Sequence, residues 1–192
     1  MVGRTLEEIF PSSTQQPGET VLEAKDISTD TILDRVSLNL RKGEIVGLAG
    51  MVGSGRTELA RALFGADPLT SGNITLNGQS SVFDSPSDAI KKKISLVPED
   101  RKQQGLFIEL PIRNNITMPI LRKFSMWGFL NRKKENQIIE LVRKKYSIAM
   151  TSGSQEIQYL SGGNQQKVVL AKWLQTQPEV IIMDEPTRGV DL

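Results

Sequence analysis

The chain has 192 residues, 38% of them hydrophobic, which is enough for one core with at most a small satellite subdomain. The 24 basic and 22 acidic residues leave a net charge of +2, which argues against a nucleic-acid-binding protein held by a dominant basic field. The absence of cysteine and histidine excludes a disulfide framework, a thiolate metal site and a histidine base. No apolar run approaches the ~18–20 residues of a membrane span, and the N-terminus does not resemble a signal peptide, so we expect a soluble, intracellular α/β domain.

The first twenty residues are predicted to precede the folded domain. Residues 11–20 are rich in Pro, Ser, Gln and Gly and cannot bury enough apolar surface to offset the entropy of ordering, which is typical of a linker. Met1–Phe10 has the composition of the end of a preceding structure. Strands are then predicted at Val21–Ala24 and Val36–Leu40, and the second alternates in the manner of a half-buried strand.

A glycine-rich loop lies between an apolar run and an amphipathic segment. Ile45–Ala49 is wholly apolar and is predicted to be a strand covered on both faces of a sheet. The segment after the loop places Leu59, Ala62 and Leu63 on one helical stripe, and Gly65 is expected to end that helix. Strand, glycine-rich turn and helix in this order are the layout of a phosphate-binding P-loop.

The loop is predicted to bind phosphate through its backbone N–H groups and the positive end of the following helix. The predicted binding residues are Gly50, Met51, Val52, Gly53, Ser54, Gly55, Arg56 and Thr57. The hydroxyl of Thr57 is a candidate Mg²⁺ ligand, whereas Arg56 stands where the P-loop pattern has Lys. Because a guanidinium is larger than an ammonium and planar, we expect weakened binding and a larger loss of turnover. The alternative is a glycine-rich turn without a ligand.

The middle of the chain is predicted to contain a hairpin, a buried strand and a helical insertion. An alternating strand at Asn73–Asn77 is closed by the turn pair Asn77-Gly78. A short helix ending at Lys93 and a buried strand at Ile94–Val97 follow. Residues 103–151 interleave charged and large apolar side chains and are predicted to form a mostly helical insertion.

The insertion and the segment before it carry an apolar stripe and three basic clusters. The stripe is predicted to consist of Ile138, Leu141 and Val142. The basic clusters are interpreted as solvated faces rather than ligand sites. They are Lys91–Lys93, Arg132–Lys134 and Arg143–Lys145.

Two acidic residues end the last predicted strand. Val180–Met183 is apolar, and Asp184 and Glu185 follow at its carboxyl end, where ligands bind in parallel α/β sheets. Asp184 is predicted to hold Mg²⁺, directly or through water, and Glu185 to polarise an attacking water. The alternative is a strand that ends at a solvated acidic turn.

A second anion-binding loop is predicted where the last helix begins. It consists of Leu160, Ser161, Gly162, Gly163 and Asn164. As a simple helix N-cap this stretch would need only Ser161. Two anion-binding loops far apart in sequence indicate a nucleotide shared between two subunits. The helix itself is predicted to place on one face Leu170, Trp173 and Leu174.

Together these motifs resemble those of ATP-binding cassette (ABC) proteins. LSGGNQQK is similar to their signature motif and IIMDEPT to their Walker B strand, and with the P-loop the likeness covers Val21–Leu192. GRTEL, VPEDRK and DEPTRGVD resemble the second cassette of the double-cassette ATPase subunits of bacterial monosaccharide importers, such as those for ribose, galactose, xylose and arabinose. The resemblance implies an α/β P-loop NTPase fold with a mixed core sheet, an antiparallel β subdomain and a helical subdomain at residues 103–151.

The resemblance also implies domain boundaries. Residues 1–20 are expected to be the tail of a preceding cassette plus a linker. Residues 21–192 are expected to be a nucleotide-binding domain that stops after the D-loop, so that its C-terminal part is missing. The expected D-loop is Gly189, Val190 and Asp191, and the switch histidine is expected beyond Leu192.

In ABC proteins, ATP lies between the P-loop of one cassette and the signature of the other. The signature of this chain is therefore expected to act on nucleotide held by the first cassette, and Glu185 to be catalytic at the chain's own site. Three departures from the family pattern imply that this site is the weaker of the two. They are Arg56, Glu99 at the Q-loop position where Gln is usual, and the lack of an aromatic residue between Thr20 and Leu40 to stack on adenine.

The implied function is that of an ATP-binding and ATP-hydrolysing subunit of an ABC importer that energises monosaccharide uptake. ATP and Mg²⁺ are the expected cofactors, and the chain alone is expected to have weak or no activity. The expected partners are a first cassette or dimer partner, membrane permease subunits and, indirectly, a periplasmic or extracellular sugar-binding protein. The expected location is the cytoplasmic side of the cell membrane. Candidate permease contacts are Phe107, Met118 and Trp127, with core packing as the alternative.

Two other functions are weighed against this one. The first is a regulatory module that binds ATP without hydrolysing it and supports the partner cassette. The second is a soluble ABC ATPase of DNA repair or translation. The near-neutral charge and the PEDRK and TRGVD stretches argue against the second, so no nucleic-acid partner is expected.

Overall fold

A computed structural model describes residues 16–81, 83–126 and 129–188. Its N-terminal part contains a four-stranded antiparallel sheet in the order β2-β1-β3-β4. These strands are β1 (Thr20–Ser28), β2 (Val36–Arg41), β3 (Ser71–Leu76) and β4 (Gln79–Ser80). The predicted strands at Val21–Ala24, Val36–Leu40 and Asn73–Asn77 are therefore confirmed, and β1 extends further toward its carboxyl end than its short apolar run indicates.

The β3–β4 hairpin turns at the predicted residue pair. Asn77 and Gly78 have φ angles of 50° and 74°. Positive φ at both central residues is the geometry of a type I′ turn, which Asn-Gly favours and which matches the twist of the flanking strands. Leu76 then pairs with Gln79 across the hairpin.

A second sheet pairs β5 (Ile94–Val97) with β8 (Val180–Met183) in parallel. β5 is buried at every position, as predicted. β8 is less buried than predicted, because only Val180 is buried and Met183 is exposed. The carboxyl ends of parallel strands meet at one edge of a sheet. The segments that follow Val97 and Met183 therefore leave the sheet side by side.

One short helix lies between β2 and β3 along the chain, and a second lies between β4 and β5. They are α1 (Arg56–Leu63), which leaves the glycine-rich loop, and α2 (Pro86–Lys91), which leads to β5. The predicted stripe of Leu59, Ala62 and Leu63 is buried in the hydrophobic core. Gly65 follows the helix with φ of 70°, a left-handed conformation that ends helices, so the predicted stop is confirmed.

The segment between β5 and the last helix is mostly helical and contains one small hairpin. Its elements are a π-helix (Arg101–Gly105), α3 (Ile112–Thr117), a 3₁₀-helix (Met118–Phe124), β6 (Ser125–Met126), β7 (Phe129–Leu130), α4 (Arg132–Lys145) and a 3₁₀-helix (Ile157–Tyr159). The β6–β7 hairpin was not predicted, because two-residue strands are too short to show an alternating pattern. The last helix is α5 (Gly162–Leu174).

A buried carboxylate holds α3 to α4. Glu135 is 1% exposed and accepts hydrogen bonds from Thr117 Oγ1 at 2.9 Å and Arg132 Nη1 at 2.7 Å. A buried charge is costly unless it is paired and hydrogen-bonded, and both conditions are met here. The helical segment is therefore held by a satisfied polar contact as well as by apolar packing.

The predicted strand at Ile45–Ala49 is wrong. These residues have no regular secondary structure, and Ile45 is 94% exposed. A strand needs a neighbour for its backbone hydrogen bonds, and none of the described strands pairs with this segment. An apolar run indicates that its side chains favour burial, but it does not show which neighbouring strand would pair with the run.

The predicted stripe on α4 is also partly wrong. Ile139 and Val142 are buried and Ile138 is half-buried, but Leu141 is 67% exposed. Successive helical residues are about 100° apart, so Leu141 lies roughly 200° around the helix from Ile139. The buried face follows Glu135, Ile139 and Val142 instead.

On α5 the fully buried apolar residues only partly match the predicted face. Trp173 is buried as predicted, whereas Leu170 and Leu174 are half-buried. The most deeply buried side chains of this helix are Val168, Val169 and Ala171. Because α5 is covered on more than one side, a single stripe describes it incompletely.

The basic clusters are largely exposed, as interpreted from the sequence. Lys93 is the one with a structural role at the sheet, where its Nζ donates to Glu179 Oε1 at 2.7 Å. This hydrogen bond, and a second from Asn77, lower the pKa of Glu179. Within the described residues no helix is both long and apolar enough to cross a membrane.

A buried lysine ties α5 to the π-helix. Lys172 Nζ donates to the carbonyl oxygen of Gly105 at 2.8 Å and lies 4.9 Å from the centre of the Trp173 ring. Burial lowers the pKa of Lys172 from 10.5 to about 8. The charged form is therefore disfavoured in the folded protein relative to the unfolded chain.

Lys172→Met is predicted to remove a pH dependence of stability. Between pH 8 and 10.5 the unfolded chain holds the Lys172 proton more firmly than the folded protein. The free energy of unfolding therefore rises with pH in this window, by at most about 3 kcal/mol, and is independent of this lysine below pH 8, where both states hold the proton. Urea denaturation of both proteins from pH 7 to 10 measures this, because other titrations cancel in the difference. Parallel stability curves would show that Lys172 is not buried in solution.

Candidate functional site

The glycine-rich loop presents its backbone to solvent. Gly53 and Gly55 have φ angles of 82° and 87°, which favour glycine. A Cβ atom at Gly50 would lie 2.4 Å from Ser54 Oγ, so the Ser54 hydroxyl would have to turn away to admit a side chain there. α1 begins at Arg56, and no side chain caps its N-terminus with a hydrogen bond. Its first N–H groups can therefore serve an anion.

Arg56 connects this loop to the acidic residues after β8. Its Nη2 lies 3.5 Å from Glu185 Oε1, and the two side chains are 30% and 43% exposed. A pair this exposed contributes roughly 0–1 kcal/mol, so Arg56 can leave Glu185 for another anion at little cost. The structure thus brings together the predicted phosphate-binding loop and the predicted catalytic carboxylate.

Asp184 continues the parallel ladder past the end of β8. Its backbone N–H donates to the carbonyl oxygen of Val97 at 2.9 Å. This bond places Asp184 next to the Pro98–Glu99 segment, at the edge where the carboxyl ends of β5 and β8 meet. In the described part of the chain, no three or more His, Cys, Asp or Glu side chains gather as a metal-binding group.

Glu99 forms an ion pair with Arg188, which follows the acidic turn. The same turn receives a second contact, because Arg101 Nη1 donates to the carbonyl oxygen of Arg188 at 2.7 Å. The resemblance to ABC proteins implies that Glu99 stands at the Q-loop position, and that expectation stays a prediction. Arg188 was missed as a site residue. Its position just after one parallel strand end, with an acid just after the other, is the signal that could have identified it.

The second predicted anion loop contacts the helical segment. Asn164 Nδ2 donates to Ser161 Oγ at 2.9 Å, and Asn164 Oδ1 accepts from the backbone N–H of Ala149 at 2.8 Å. Ser161 precedes α5 without capping it by its side chain. The hydroxyl of Ser161 is therefore held by Asn164 rather than used for the helix cap, and it is exposed.

The remaining predicted site residues divide into exposed and undescribed positions. Phe107 is 51% and Met118 39% exposed, so neither is a core residue in this chain. Trp127 and the predicted D-loop residue Asp191, with its neighbours Gly189 and Val190, lie outside the described residues.

The sequence was compared with models of known protein families. The family described as "ABC transporter" matches residues 33–188, which include the glycine-rich loop, the second anion loop and the acidic strand end. The chain belongs to the ABC transporter family. Its fold is that of a P-loop NTPase of the ABC cassette type, as the sequence predicts.

Solved structures share this fold at low sequence identity. An ATP-binding cassette solved as a dimer in a post-hydrolysis state with ADP and Pi superposes with a TM-score of 0.72, 23% identity, and coverage of 88% of this chain and 76% of that one. A nucleotide-free cassette from an ABC transporter superposes with a TM-score of 0.74 and 18% identity, covering 90% of this chain and 71% of that one.

Curated relatives are similar along the whole chain. The ribose import ATP-binding protein RbsA of Bacillus licheniformis is 46% identical over 192 residues, which are 100% of this chain and 39% of the relative. The ribose import ATP-binding protein RbsA 3 of Rhizobium meliloti is 47% identical over 194 residues, with 100% and 38% coverage. The chain thus spans about two-fifths of the length of these relatives.

The residues of this ABC cassette fit ATP and Mg²⁺. Ser54 packs closely over Gly50, and the uncapped N-terminus of α1 offers N–H donors to an anion. Thr57 and Asp184 supply one hydroxyl and one carboxylate. Mg²⁺ is commonly bound by one or two protein oxygens together with substrate phosphates and waters, which is the kind of donor set that these two residues offer.

Asn164→Ala is predicted to loosen the second anion loop. The variant loses the hydrogen bonds to Ser161 and Ala149 and should lower the free energy of unfolding by about 1–2 kcal/mol. Asn164→Asp keeps the acceptor for Ala149 but not the donor to Ser161, so an intermediate loss is expected. Urea denaturation measures both.

Gln158→Ala is the matched control, because Gln158 is exposed and its side-chain amide, among the described residues, donates to the nearby Glu156. It should change stability by less than about 0.5 kcal/mol. Equal effects of the Asn164→Ala and Gln158→Ala changes would contradict a positioning role for Asn164.

Proposed function

We propose that the chain is part of the ATP-binding and ATP-hydrolysing subunit of an ABC importer for monosaccharides. The observation that carries the proposal is the meeting of Arg56, in the P-loop, with Glu185, at the end of β8. This geometry puts a candidate base beside a phosphate cradle, which is what hydrolysis of a bound nucleotide requires. The ribose import proteins that the chain resembles support the substrate class.

Each site residue has a proposed role. The backbone of Gly50–Thr57 holds the phosphates, with Arg56 as their cation. Thr57 and Asp184 hold Mg²⁺, which when bound neutralises phosphate charge. Glu185 accepts a proton from the attacking water. The signature residues Leu160–Asn164 act on nucleotide held by a partner cassette, and Asp191 belongs to the D-loop between the two sites.

We propose that the chain is the second cassette of a longer polypeptide. Residues 1–20 would be the tail of a first cassette and a linker, and 21–192 a nucleotide-binding domain with a helical subdomain at 103–151. Ile45 and Leu48 leave apolar side chains exposed beside the P-loop. Large exposed apolar patches mark surfaces that a partner covers, and we propose that another strand of the longer polypeptide covers this one.

The proposed partners follow from this role. Permease subunits bind the helical subdomain, where Phe107 and Met118 offer exposed apolar side chains. A sugar-binding protein acts through the permease, and the subunit is peripheral on the cytoplasmic side of the membrane. A nucleic-acid partner is not proposed, since the chain carries no excess of positive charge beyond +2.

The second candidate function is a regulatory cassette that binds ATP but does not hydrolyse it. Arg56 in place of Lys favours this alternative, because a planar guanidinium is larger than the compact ammonium that a P-loop closes around. The two functions differ in whether chemistry at this site is needed for transport.

Glu185→Gln in this cassette alone separates the two functions. With the full-length protein, permease and binding protein reconstituted in vesicles, hydrolysis at this site predicts that sugar-stimulated ATPase activity and uptake fall by at least about tenfold, since general bases contribute about 10²–10⁴-fold. Glu179→Gln, at the opposite end of β8, is the control and should retain transport. Unchanged transport in the Glu185→Gln protein would favour the regulatory role, and a wild-type protein without sugar-stimulated ATPase activity would refute both.

Arg56→Lys is predicted to strengthen nucleotide binding at this site. The compact ammonium fits a loop that closes around a point charge, so the dissociation constant for ATP should fall about 3- to 10-fold. Titration with a fluorescent ATP analogue, in a protein whose other cassette is inactivated, measures this constant. Weaker binding by the lysine variant would show that the loop is adapted to arginine.

A further inference from the structure

The segments that follow β5 and β8 contact each other again after the two strands end. The ladder ends with the bond from Asp184 N–H to the Val97 carbonyl. Past this point Glu99 pairs with Arg188, and Arg101 Nη1 donates to the Arg188 carbonyl at 2.7 Å. The side chain and the backbone of Arg188 are thus both held by the segment that follows β5.

Arg188 in turn closes the turn that carries Glu185. Its backbone N–H donates to the Glu185 carbonyl oxygen at 3.0 Å. Glu185 has a φ angle of 42°, in the left-handed region that costs a non-glycine residue about 1 kcal/mol or more. Such a conformation persists only where its surroundings fix it, and the contacts of Arg188 supply that constraint.

We propose that Glu99 and Arg188 form a clasp that holds the Glu185 turn so that its carboxylate faces the P-loop. The inference rests on the proposed hydrolysis at this site and deepens it. Glu99 and Arg188 are positioning residues, because they act on the reaction through Glu185. The acid at the Q-loop position then serves to pair with Arg188, which an uncharged glutamine would do less strongly.

The clasp is suited to positioning rather than to stability. The side chains of Arg188 and Glu99 are 59% and 32% exposed. Ion pairs at this exposure contribute little to the free energy of unfolding, so breaking the pair leaves the protein folded. Its effect should appear in the geometry of Glu185, where a displacement of about 1 Å can lower a rate by up to about 10²-fold.

The same two strands provide a matched control at their other end. Lys93 precedes β5 and Glu179 precedes β8, and their side chains pair at 2.7 Å. This pair also joins the two strands, but it lies at the amino ends of the strands, away from Glu185. A contact that merely held the strands together would be as important at either end.

The test uses charge reversal in the full-length protein. Glu99→Arg and Arg188→Glu are each expected to lower kcat for ATP about tenfold or more, with KM changed less than about threefold. The double variant restores the pair with its charges exchanged and is expected to recover kcat to within about threefold of wild type. Lys93→Glu and Glu179→Lys should leave kcat near the wild-type value.

Two results would overturn the clasp. Failure of the double variant to recover would indicate that Glu99 contacts Mg²⁺ itself, since arginine cannot ligate a cation. Equal losses in the Lys93 and Glu179 variants would indicate a general structural effect.

Amide hydrogen exchange keeps the test independent of the proposed function. The Arg188 amide should exchange about tenfold or more faster in each single variant and at the wild-type rate in the double variant. A wild-type protein without ATPase activity refutes the proposed function, and this exchange pattern then still supports the clasp. Unchanged exchange in the single variants overturns the clasp whatever the activity.

Discussion

The parallel pairing of β5 with β8 is the constraint on which the candidate site depends. Since parallel strands end at the same edge, it brings the segments after Val97 and Met183 side by side. The two segments are joined to each other by the pair of Glu99 with Arg188, and the second segment is joined to the glycine-rich loop by the pair of Glu185 with Arg56. The site is therefore assembled by backbone pairing first and adjusted by charges at its edge.

The arginine at this edge can change its anionic partner. Arg56 contacts Glu185 in a partly exposed pair that contributes little stability, so a phosphate can compete for the guanidinium. Binding of nucleotide and release of Glu185 would then be one event, because the same cation serves both anions. The second anion loop differs, since Asn164 fixes Ser161 through short hydrogen bonds to the helical segment.

The sequence predicted elements whose local pattern matches their final surroundings. The Asn77-Gly78 turn, the α1 stripe and the buried β5 are such elements, and the motif residues of the P-loop and acidic strand end do lie at one site. The strand predicted at Ile45–Ala49 is wrong because a strand also needs a neighbouring strand, and the residues of the segment itself do not specify that neighbour. Motifs alone do not identify the Glu99–Arg188 pair, since it depends on which strands are neighbours and on the side-chain conformations beyond them.

A structure of the full-length protein with Mg²⁺ and a non-hydrolysable ATP analogue tests most directly whether this loop and this arginine serve a nucleotide. The analogue's phosphates are predicted to lie in the loop Gly50–Thr57, with Arg56 moved from Glu185 to the phosphates and Glu99 still paired with Arg188. Phosphates bound away from the loop, or Arg56 still paired with Glu185 beside a bound analogue, would contradict the proposed site.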